Sequence, residues 1–258
     1  MRRKTKNGVE WLEFELLADI PEVVHGVILR HGGISDGHCS SLNIGGNTGD
    51  QWENIQENRK RALDALGIVD VVSSYQVHSD RVVHIPAKNF PDVGEADGLM
   101  TQVPGLGLMI KHADCQAAIF YDPKNKAIAN VHSGWRGNVK NIYEKTVLQM
   151  KEAFGSSAED LLVCISPSLG PSRSEFKNYR EELPEHFWKF QISPTYFDLW
   201  AIARMQLEEC GVDPKRIEIA SICTYTASED FFSYRRDKPT GRNATIAALR
   251  STSQTCSS

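Results

Sequence analysis

Short apolar runs bounded by turn-forming residues recur along this 258-residue chain and alternate with segments of helical periodicity. Runs of five to seven residues are typical of strands, whereas helices that cover a core need about ten residues or more. The alternation predicts a mixed α/β protein of the α+β class. Seven strands are predicted, at residues 23–29, 71–77, 106–110, 117–121, 127–131, 161–165 and 217–222.

Turn and capping residues define several of the predicted elements. The turn-forming sequence at 122–125 predicts that residues 117–131 form a hairpin. Three helices are predicted: one that begins with Asp50 as its cap and ends at Gly67, one over 139–154, and one over 196–210. No segment resembles a linker, so a single domain is expected over 1–258, with a frayed polar tail at 251–258.

Charge and hydropathy exclude several classes of protein. The formal net charge of −4 excludes a strongly basic nucleic-acid binder and an acidic solvating tail. The longest uncharged stretch, residues 98–110, is too short to span a bilayer. The basic start at 2–4 is followed by acidic residues where a signal peptide needs an apolar segment. A cytoplasmic monomer is therefore expected, with the six cysteines as reduced thiols and with no nucleic-acid or membrane partner.

Three segments place metal-binding or nucleophilic side chains at the ends of predicted strands. They contain His78, Cys115 and His132. Their wide separation differs from the close pairs of a structural zinc site. Three dispersed ligands instead leave a fourth position for water, which is the arrangement of catalytic zinc. The residues alone leave open whether these are ligands or ordinary core and surface side chains.

A longer series of motifs resembles one protein family over roughly residues 25 to 249. These motifs occur in the family order: 31–35 (HGGIS), 41–43 (SLN), 49–50 (GD), 57–59 (ENR), 76–78 (QVH), 96–98 (ADG), 113–115 (ADC), 132–137 (HSGWRG), 170–171 (GP), 223–225 (CTY) and 232–237 (FSYRRD). The chain is thereby identified as resembling the YfiH-like, laccase-domain proteins. This family is described as purine nucleoside phosphorylases and was formerly described as multicopper polyphenol oxidases.

The resemblance implies a fold, a metal site and an activity. The expected fold is the YfiH-like layered arrangement of mixed sheets flanked by helices, which is shared with deamidating toxins. The implied ligands of one zinc ion are His78, Cys115 and His132, with copper as a possible substitute. The implied reactions are phosphorolysis of adenosine, inosine, guanosine or methylthioadenosine, and hydrolytic deamination of adenosine. The expected partners are therefore purine nucleosides and phosphate.

Other residues within or beside these motifs are candidates for catalysis and binding. Asp114 is a candidate proton shuttle, or else it orients a ligand or caps a turn. Arginine suits phosphate because its planar group donates two parallel hydrogen bonds. Of five candidate arginines, Arg59 and Arg235 are favoured for phosphate. Asn43 and Ser41 either contact the ribose hydroxyls or hold a loop.

One departure from the family pattern affects the predicted metal site. His112 stands three residues before Cys115, where relatives usually carry a small hydroxylic residue. A turn there would let His112 compete as a ligand.

Three other functions remain open at this stage. The first is a cysteine hydrolase or amidase with Cys115 as nucleophile and His132 as base, including an enzyme that edits peptidoglycan precursors. The second is a copper-dependent polyphenol oxidase, which is disfavoured because eight histidines without a His-x-His pair are few for clustered coppers. The third is a binding module without catalytic activity.

Overall fold

A computed structural model describes residues 1–251 of the chain and shows fourteen strands in that range. They are β1 (Arg2–Lys6), β2 (Val9–Glu13), β3 (Val23–Ile28), β4 (Asp70–Val72), β5 (Val82–His84), β6 (Gly98–Thr101), β7 (Leu106–His112), β8 (Gln116–Asp122), β9 (Ala127–Ser133), β10 (Leu162–Ile165), β11 (Gln191–Ser193), β12 (Tyr196–Phe197), β13 (Ile217–Ile219) and β14 (Asn243–Leu249).

Six α-helices and five short 3₁₀ segments connect these strands within the same range. The α-helices are α1 (Glu15–Ala18), α2 (Trp52–Leu66), α3 (Trp135–Val139), α4 (Ile142–Phe154), α5 (Tyr179–Glu182) and α6 (Leu199–Glu209). The 3₁₀ segments are Gly37–Cys39, Ala158–Asp160, Pro171–Arg173, Glu185–Phe190 and Pro214–Arg216.

Two six-stranded mixed sheets form the centre of the protein. Sheet 1 has the order β1-β2-β3-β14-β7-β4, and sheet 2 has the order β13-β10-β8-β9-β6-β5. The pairs β4·β7, β5·β6 and β10·β13 are parallel, and the other pairs within these sheets are antiparallel. Because β7 lies in sheet 1 and β8 in sheet 2, the short turn between these strands carries the chain from one sheet to the other.

Alternating side chains bury both faces of each sheet, which produces four layers. Along β7, Leu108 points into the core between the sheets, whereas Met109 points into the core that sheet 1 shares with α2. Along β8, Ile119 points between the sheets, whereas Phe120 faces α4 and α6. The order of layers is therefore α2, sheet 1, sheet 2, and then α4 with α6. The mixed α/β architecture with sheets flanked by helices agrees with the sequence-based prediction.

The predicted hairpin is correct, but two predicted strands are too long. In β4 the strand ends at Val72, because the following residues turn away and the Gln76 side chain pairs with the backbone of Lys111. The strand predicted at 217–222 ends at Ile219, shortly before Ser221, which has a φ of 52°. β14, which is buried throughout, was not among the predicted strands.

The predicted helices are present, but their N-terminal ends differ. Asp50 does not cap α2, because its carboxylate binds Ser35, Asn43 and the backbone of Gln51. The segment predicted as one helix over 139–154 contains the end of α3 and all of α4, separated by Asn141 at a φ of 54°. α6 begins at Leu199, because the Asp198 side chain accepts hydrogen bonds from the backbone N–H groups of Trp200 and Ala201.

Some sequence-based expectations fall partly outside the described range. The predicted polar tail lies outside the described residues except for Ser251. Five cysteines of the described range are free thiols, and Cys256 lies outside it. Among residues 1–251, no helix has both the length and the hydropathy to cross a bilayer.

Candidate metal centre and active site

The turn between the two sheets brings His78, Cys115 and His132 together. Cys115 directly precedes β8, and His132 lies on the neighbouring β9, where it pairs in register with Ala117. His78 belongs to the loop between β4 and β5 and has a φ of 58°, which turns the chain toward Cys115. One ligand atom from each of the three residues lies within 4.8 Å of the others. The three side chains can therefore share one metal ion.

A buried carboxylate holds the side chain of His132 and the backbone of the loop that carries His78. Asp97 is fully buried, and its Oδ1 lies 2.8 Å from Nδ1 of His132. The same carboxylate accepts hydrogen bonds from the backbone N–H groups of Val77, His78 and Ser79. Asp97 therefore keeps the Nδ1 proton on His132 and leaves Nε2 to bind a ligand. It also holds the loop that carries His78.

Charge interactions change the pKa values of Asp97, Cys115 and His132. Burial raises the pKa of Asp97, but its hydrogen bonds from His132 and Ser79 outweigh this effect and lower the pKa to about 2. Burial also disfavours the charged forms of Cys115 and His132. Their mutual attraction outweighs it, so the pKa of Cys115 falls to about 6 and that of His132 rises to about 9. Without a metal, the pair is a thiolate next to an imidazolium.

Gly134 allows the ligands to approach each other. A Cβ atom at this position would lie 2.8 Å from Cδ2 of His78 and 3.0 Å from Sγ of Cys115. Only a residue without a side chain leaves both ligands in place. Gly134 also precedes α3, so the glycine lets the helix begin directly beside the cluster.

The donor set fits zinc. Two imidazoles and one thiolate are common zinc ligands, and three protein ligands leave one coordination position open. At tetrahedral angles, zinc would separate a sulfur and a nitrogen ligand by about 3.5 Å. Nε2 of His78 lies 3.9 Å from Sγ of Cys115, within a few tenths of an ångström of that spacing. Copper also binds such donors.

The cluster lies in a cavity of about 910 Å³. Its lining is mixed: aromatic side chains such as Trp135, Phe176 and Tyr234 lie near several cationic ones. Sites for small molecules in proteins have volumes of about 300–1,000 Å³, are largely apolar and carry a few convergent polar groups. The cavity is therefore large enough for a nucleoside together with a small anion.

Asp114 lines the cavity, but its carboxylate is engaged by other protein groups. Oδ1 accepts a hydrogen bond of 2.7 Å from the Thr224 hydroxyl, and Oδ2 accepts one of 2.5 Å from the backbone N–H of Arg235. Asp114 itself has a φ of 86° in the turn between the sheets. These contacts support the structural alternative, in which Asp114 anchors the loop at 232–235 beside the cavity.

Both favoured arginines line the cavity, but in different settings. Arg59 projects from α2, is partly buried, and donates from Nε to the carbonyl of Ile44 at 3.0 Å. Arg235 is exposed, and Nη1 of its guanidinium donates hydrogen bonds to the carbonyls of Arg173 and Glu175, each at 3.3 Å.

The structure does not bring Asn43 or Ser41 into this cavity. Asn43 is fully buried, and its side chain binds Gly45, Thr48, Asp50 and the backbone of Arg242. The Ser41 hydroxyl bridges the carbonyl of Arg30 and the N–H of Gly33, and the residue lines a different cavity. The polar atoms of both residues hold loops, which is the second of the two roles considered for them.

His112 lies close to the cluster without joining it. It is buried, and its Nε2 is 2.9 Å from the hydroxyl of Thr245. Strand alternation directs it between the sheets, and the metal-binding group within residues 1–251 does not include it. Competition by His112 for the metal is not supported by this geometry.

Sequence reasoning assigned no role to three residues of the site. Asp97 belongs to the motif at 96–98. Its role could have been inferred from the position of an acidic residue directly before a buried strand. Lys111 and Arg242, which also line the cavity, are cations at the ends of β7 and β14. Since β14 was not predicted, its position beside β7 was not available from the sequence.

Comparisons with known proteins agree with the motif-based resemblance. The family model described as multi-copper polyphenol oxidoreductase laccase matches residues 24–250. A purine nucleoside phosphorylase of Bacteroides thetaiotaomicron is 32% identical over 244 residues, which cover 87% of this chain and 90% of that protein. The purine nucleoside phosphorylase YfiH of Escherichia coli is 33% identical over 231 residues, with coverage of 85% and 91%.

A solved structure extends this similarity to the fold. The crystal structure of YlmD from Geobacillus stearothermophilus matches with a TM-score of 0.86 and 28% identity, covering 96% of this chain and 98% of that one. The match to the family model covers most of the chain, and the similarity to the relatives extends over nearly their whole length. The chain therefore belongs to the laccase-domain family that includes the YfiH proteins.

Proposed function

We propose that this protein is a zinc-dependent purine nucleoside phosphorylase that also deaminates adenosine. The observation that carries the proposal is the His78–Cys115–His132 cluster, supported by Asp97, at the side of a cavity large enough for a nucleoside. The names of the two relatives support phosphorolysis as the main reaction. The proposed substrates are adenosine, inosine, guanosine and methylthioadenosine, with phosphate as the second substrate.

Phosphorolysis exchanges one bond at the sugar for another. A phosphate oxygen forms a bond to C1′ of the ribose while the C1′–N9 bond breaks. The electron pair of the broken bond moves to the purine, which takes up a proton. Positive charge develops on the sugar, so the protein must hold the phosphate dianion next to C1′. In this cavity, fixed cations can bind the phosphate and aromatic side chains can contact the purine ring.

The residues around the cluster have defined tasks in this proposal. Asp97 holds His132 in the tautomer that presents Nε2, and the loop that it anchors presents His78. Zinc held by these ligands would supply Lewis-acid chemistry at its open coordination position. Deamination also needs a group that carries protons. Asp114 is the nearest candidate in sequence to a metal ligand, although its contacts to Thr224 and Arg235 favour an anchoring task.

Incubation with adenosine tests the proposal directly. With phosphate present, we expect adenine and ribose 1-phosphate, and without phosphate we expect inosine. Chromatographic separation of adenine, inosine and hypoxanthine distinguishes the two reactions. If zinc-loaded protein formed neither adenine nor inosine, the proposed activity on adenosine would be refuted.

A cysteine hydrolase is the second candidate, because Cys115, His132 and Asp97 also form a Cys–His–Asp arrangement. The lowered pKa of Cys115 suits a nucleophile. A hydrolase, however, needs only one histidine at the sulfur, whereas here a second imidazole lies at the same thiolate. This second imidazole is the reason to favour a metal site.

Alkylation of Cys115 is expected to separate these two functions. In metal-free protein the rate with iodoacetamide should rise with a midpoint near pH 6, because the thiolate is the reactive form. Zinc should slow the reaction by at least about 100-fold by occupying the sulfur. Peptide mapping provides Cys210 as an internal control, since burial raises the pKa of that thiol to about 11. Fast alkylation of Cys115 in zinc-loaded protein would instead support the hydrolase.

A multicopper oxidase is not supported by the ligands present. Within the described range, one group of three His, Cys or carboxylate side chains is close enough to share a metal ion. Clustered coppers require several such groups of histidines. A single copper in place of zinc remains compatible with the donor set.

A further inference from the structure

Three cations line the cavity at the end of sheet 1, on the side that faces α2. Lys111 lies on the same face of β7 as Met109, which packs in the core shared with α2, and α2 carries Arg59. Arg242 directly precedes β14, whose first residue, Asn243, pairs with His112. We call this group, which consists of Arg59, Lys111 and Arg242, the cationic wall.

Backbone contacts fix the cationic wall in place. The Arg59 guanidinium binds the carbonyl of Ile44, and the Lys111 ammonium binds the carbonyl of Ser74 at 2.9 Å. Arg242 binds the carbonyls of Thr240 and Gly241 at 2.8 and 3.0 Å. Each of the three groups keeps further N–H donors, because guanidinium has five and ammonium has three.

No carboxylate of the described residues forms a direct ion pair with these cations, although Asp114 interacts with Arg242 at longer range. Among residues 1–251, no carboxylate oxygen lies within 4.0 Å of a nitrogen of the cationic wall. All three side chains are partly buried, and burial together with the nearby charge of Arg59 lowers the pKa of Lys111 to about 8. Like charges gathered in a partly buried place without a direct ion-pair partner favour the binding of an anion.

A glycine-containing loop lies beside the cationic wall. Residues 45–48 (GGNT) line the same cavity, and a Cβ on Gly45 would collide with the Arg242 side chain. The backbone N–H groups of Gly46 and Asn47 have no acceptor within the part of the chain that the structure describes. Free backbone donors next to fixed cations are typical of phosphate sites. The buried Asn43 and its contacts hold this loop in shape.

We propose that the cationic wall and the 45–48 loop bind the phosphate dianion that attacks the nucleoside. This inference rests on the proposed function and assigns its second substrate to Arg59, Lys111 and Arg242. The exposed Arg235, which the sequence motifs favour for phosphate, is not part of this site. The wall and the metal ligands line one cavity, and Arg242 interacts electrostatically with Cys115. A nucleoside held near the metal ligands can therefore present C1′ to a phosphate on the wall.

Calorimetric titration of zinc-loaded protein with inorganic phosphate tests the binding itself. We expect one phosphate per chain. Lys111→Met and Arg242→Met should each weaken its binding by about 10- to 100-fold, as expected for the loss of a charged hydrogen-bond donor. Lys60→Met is the matched control, because Lys60 is an exposed cation on α2 that pairs with Asp64. Equal phosphate affinity in wild type and both wall variants would overturn the proposal.

Kinetics provide a second readout that a structural defect would not reproduce. In Lys111→Met and Arg59→Met, the KM for phosphate should rise at least about tenfold, while the KM for the nucleoside changes less than about twofold. Zinc content should stay at the wild-type level. An equal rise in both KM values would contradict a phosphate site. Arg61→Met, on the same helix and paired with Glu57, controls for loss of charge on α2.

The outcomes also separate this inference from the proposed function. Phosphate binding that depends on the wall, in a protein that releases no base, would refute the phosphorylase and keep the site. Phosphorolysis with an unchanged KM for phosphate in the wall variants would refute the site and keep the phosphorylase. If the variants weakened only the binding of adenosine 5′-monophosphate, the wall would hold the phosphate of a nucleotide, and the proposal would be wrong.

Discussion

Cys115→Ala is expected to abolish phosphorolysis and deamination together. The substitution removes the only sulfur of the His78–Cys115–His132 cluster, and two imidazoles alone hold zinc much more weakly than three ligands. We expect kcat/KM for both reactions to fall by at least about 10³-fold, or about 4 kcal/mol of transition-state stabilisation. Zinc per chain, measured by atomic absorption after dialysis, should fall in parallel.

His78→Ala and His132→Ala should give the same joint loss, and the fold should persist because all three side chains line the cavity. Cys223→Ala is a matched control, since Cys223 is a half-buried thiol that contacts Gly170 rather than the cluster. If Cys115→Ala kept either reaction at the wild-type rate, that reaction would not use the metal cluster.

Asp97→Asn is expected to have the second largest effect, on both stability and metal affinity. The Asp97 carboxylate accepts from three backbone N–H groups, the Ser79 hydroxyl and His132. An amide would turn its NH₂ group toward some of these donors. We expect the free energy of unfolding to fall by about 3 kcal/mol at pH 7 and zinc affinity to fall by about 10- to 100-fold.

Asp122→Asn is the matched control for this prediction. Asp122 is also a buried carboxylate that accepts from backbone N–H groups, but it lies in the β8–β9 turn. The control should destabilise the protein without changing zinc affinity. Denaturant unfolding and a competition titration with a chelator measure the two quantities. Wild-type zinc affinity in Asp97→Asn would contradict the task given to Asp97.

The stabilising effect of Asp97 should also depend on pH. Because its pKa in the folded protein is about 2, below the usual value of 3.8, the charged form is favoured by folding. Its contribution, about 2 kcal/mol, is complete above pH 5 and is lost as the pH falls toward 2. In metal-free protein, the stability difference between wild type and Asp97→Asn should therefore shrink over this range.

The mixed α/β class could be predicted from the sequence because strand and helix periodicities are local properties, whereas the layered arrangement was expected from the family resemblance. The turn at 122–125 and the stop at Gly67 could be assigned because a few residues determine them. Asp50 was assigned wrongly because its carboxylate is held by Ser35 and Asn43, which precede it by 15 and 7 residues. A sequence pattern for helix capping carries no information on distant side chains that compete for the same carboxylate.

The candidate site was predictable only in part, for a similar reason. The motifs contained His78, Cys115 and His132, whereas the tasks of Asp97 and Lys111 follow from contacts between distant segments. Ser41 and Asn43 show the opposite case. They lie within a family motif, but their polar atoms are used inside the loops. Motif membership therefore identified the region of the site more reliably than the task of each residue.

The two sheets contribute different parts of the cavity. The metal ligands Cys115 and His132 lie at the end of sheet 2, and Lys111 lies at the end of sheet 1. In the proposed reaction, the apolar layer between the sheets, which includes Leu108 and Ile119, would act as a spacer that sets the distance between the nucleoside and the phosphate. Changes in side-chain volume in this layer would then alter the alignment of attack without touching any candidate ligand, and displacements of about 1 Å can cost about 100-fold in rate. The rate of the proposed reaction would therefore depend on the interior of the protein as well as on its cavity.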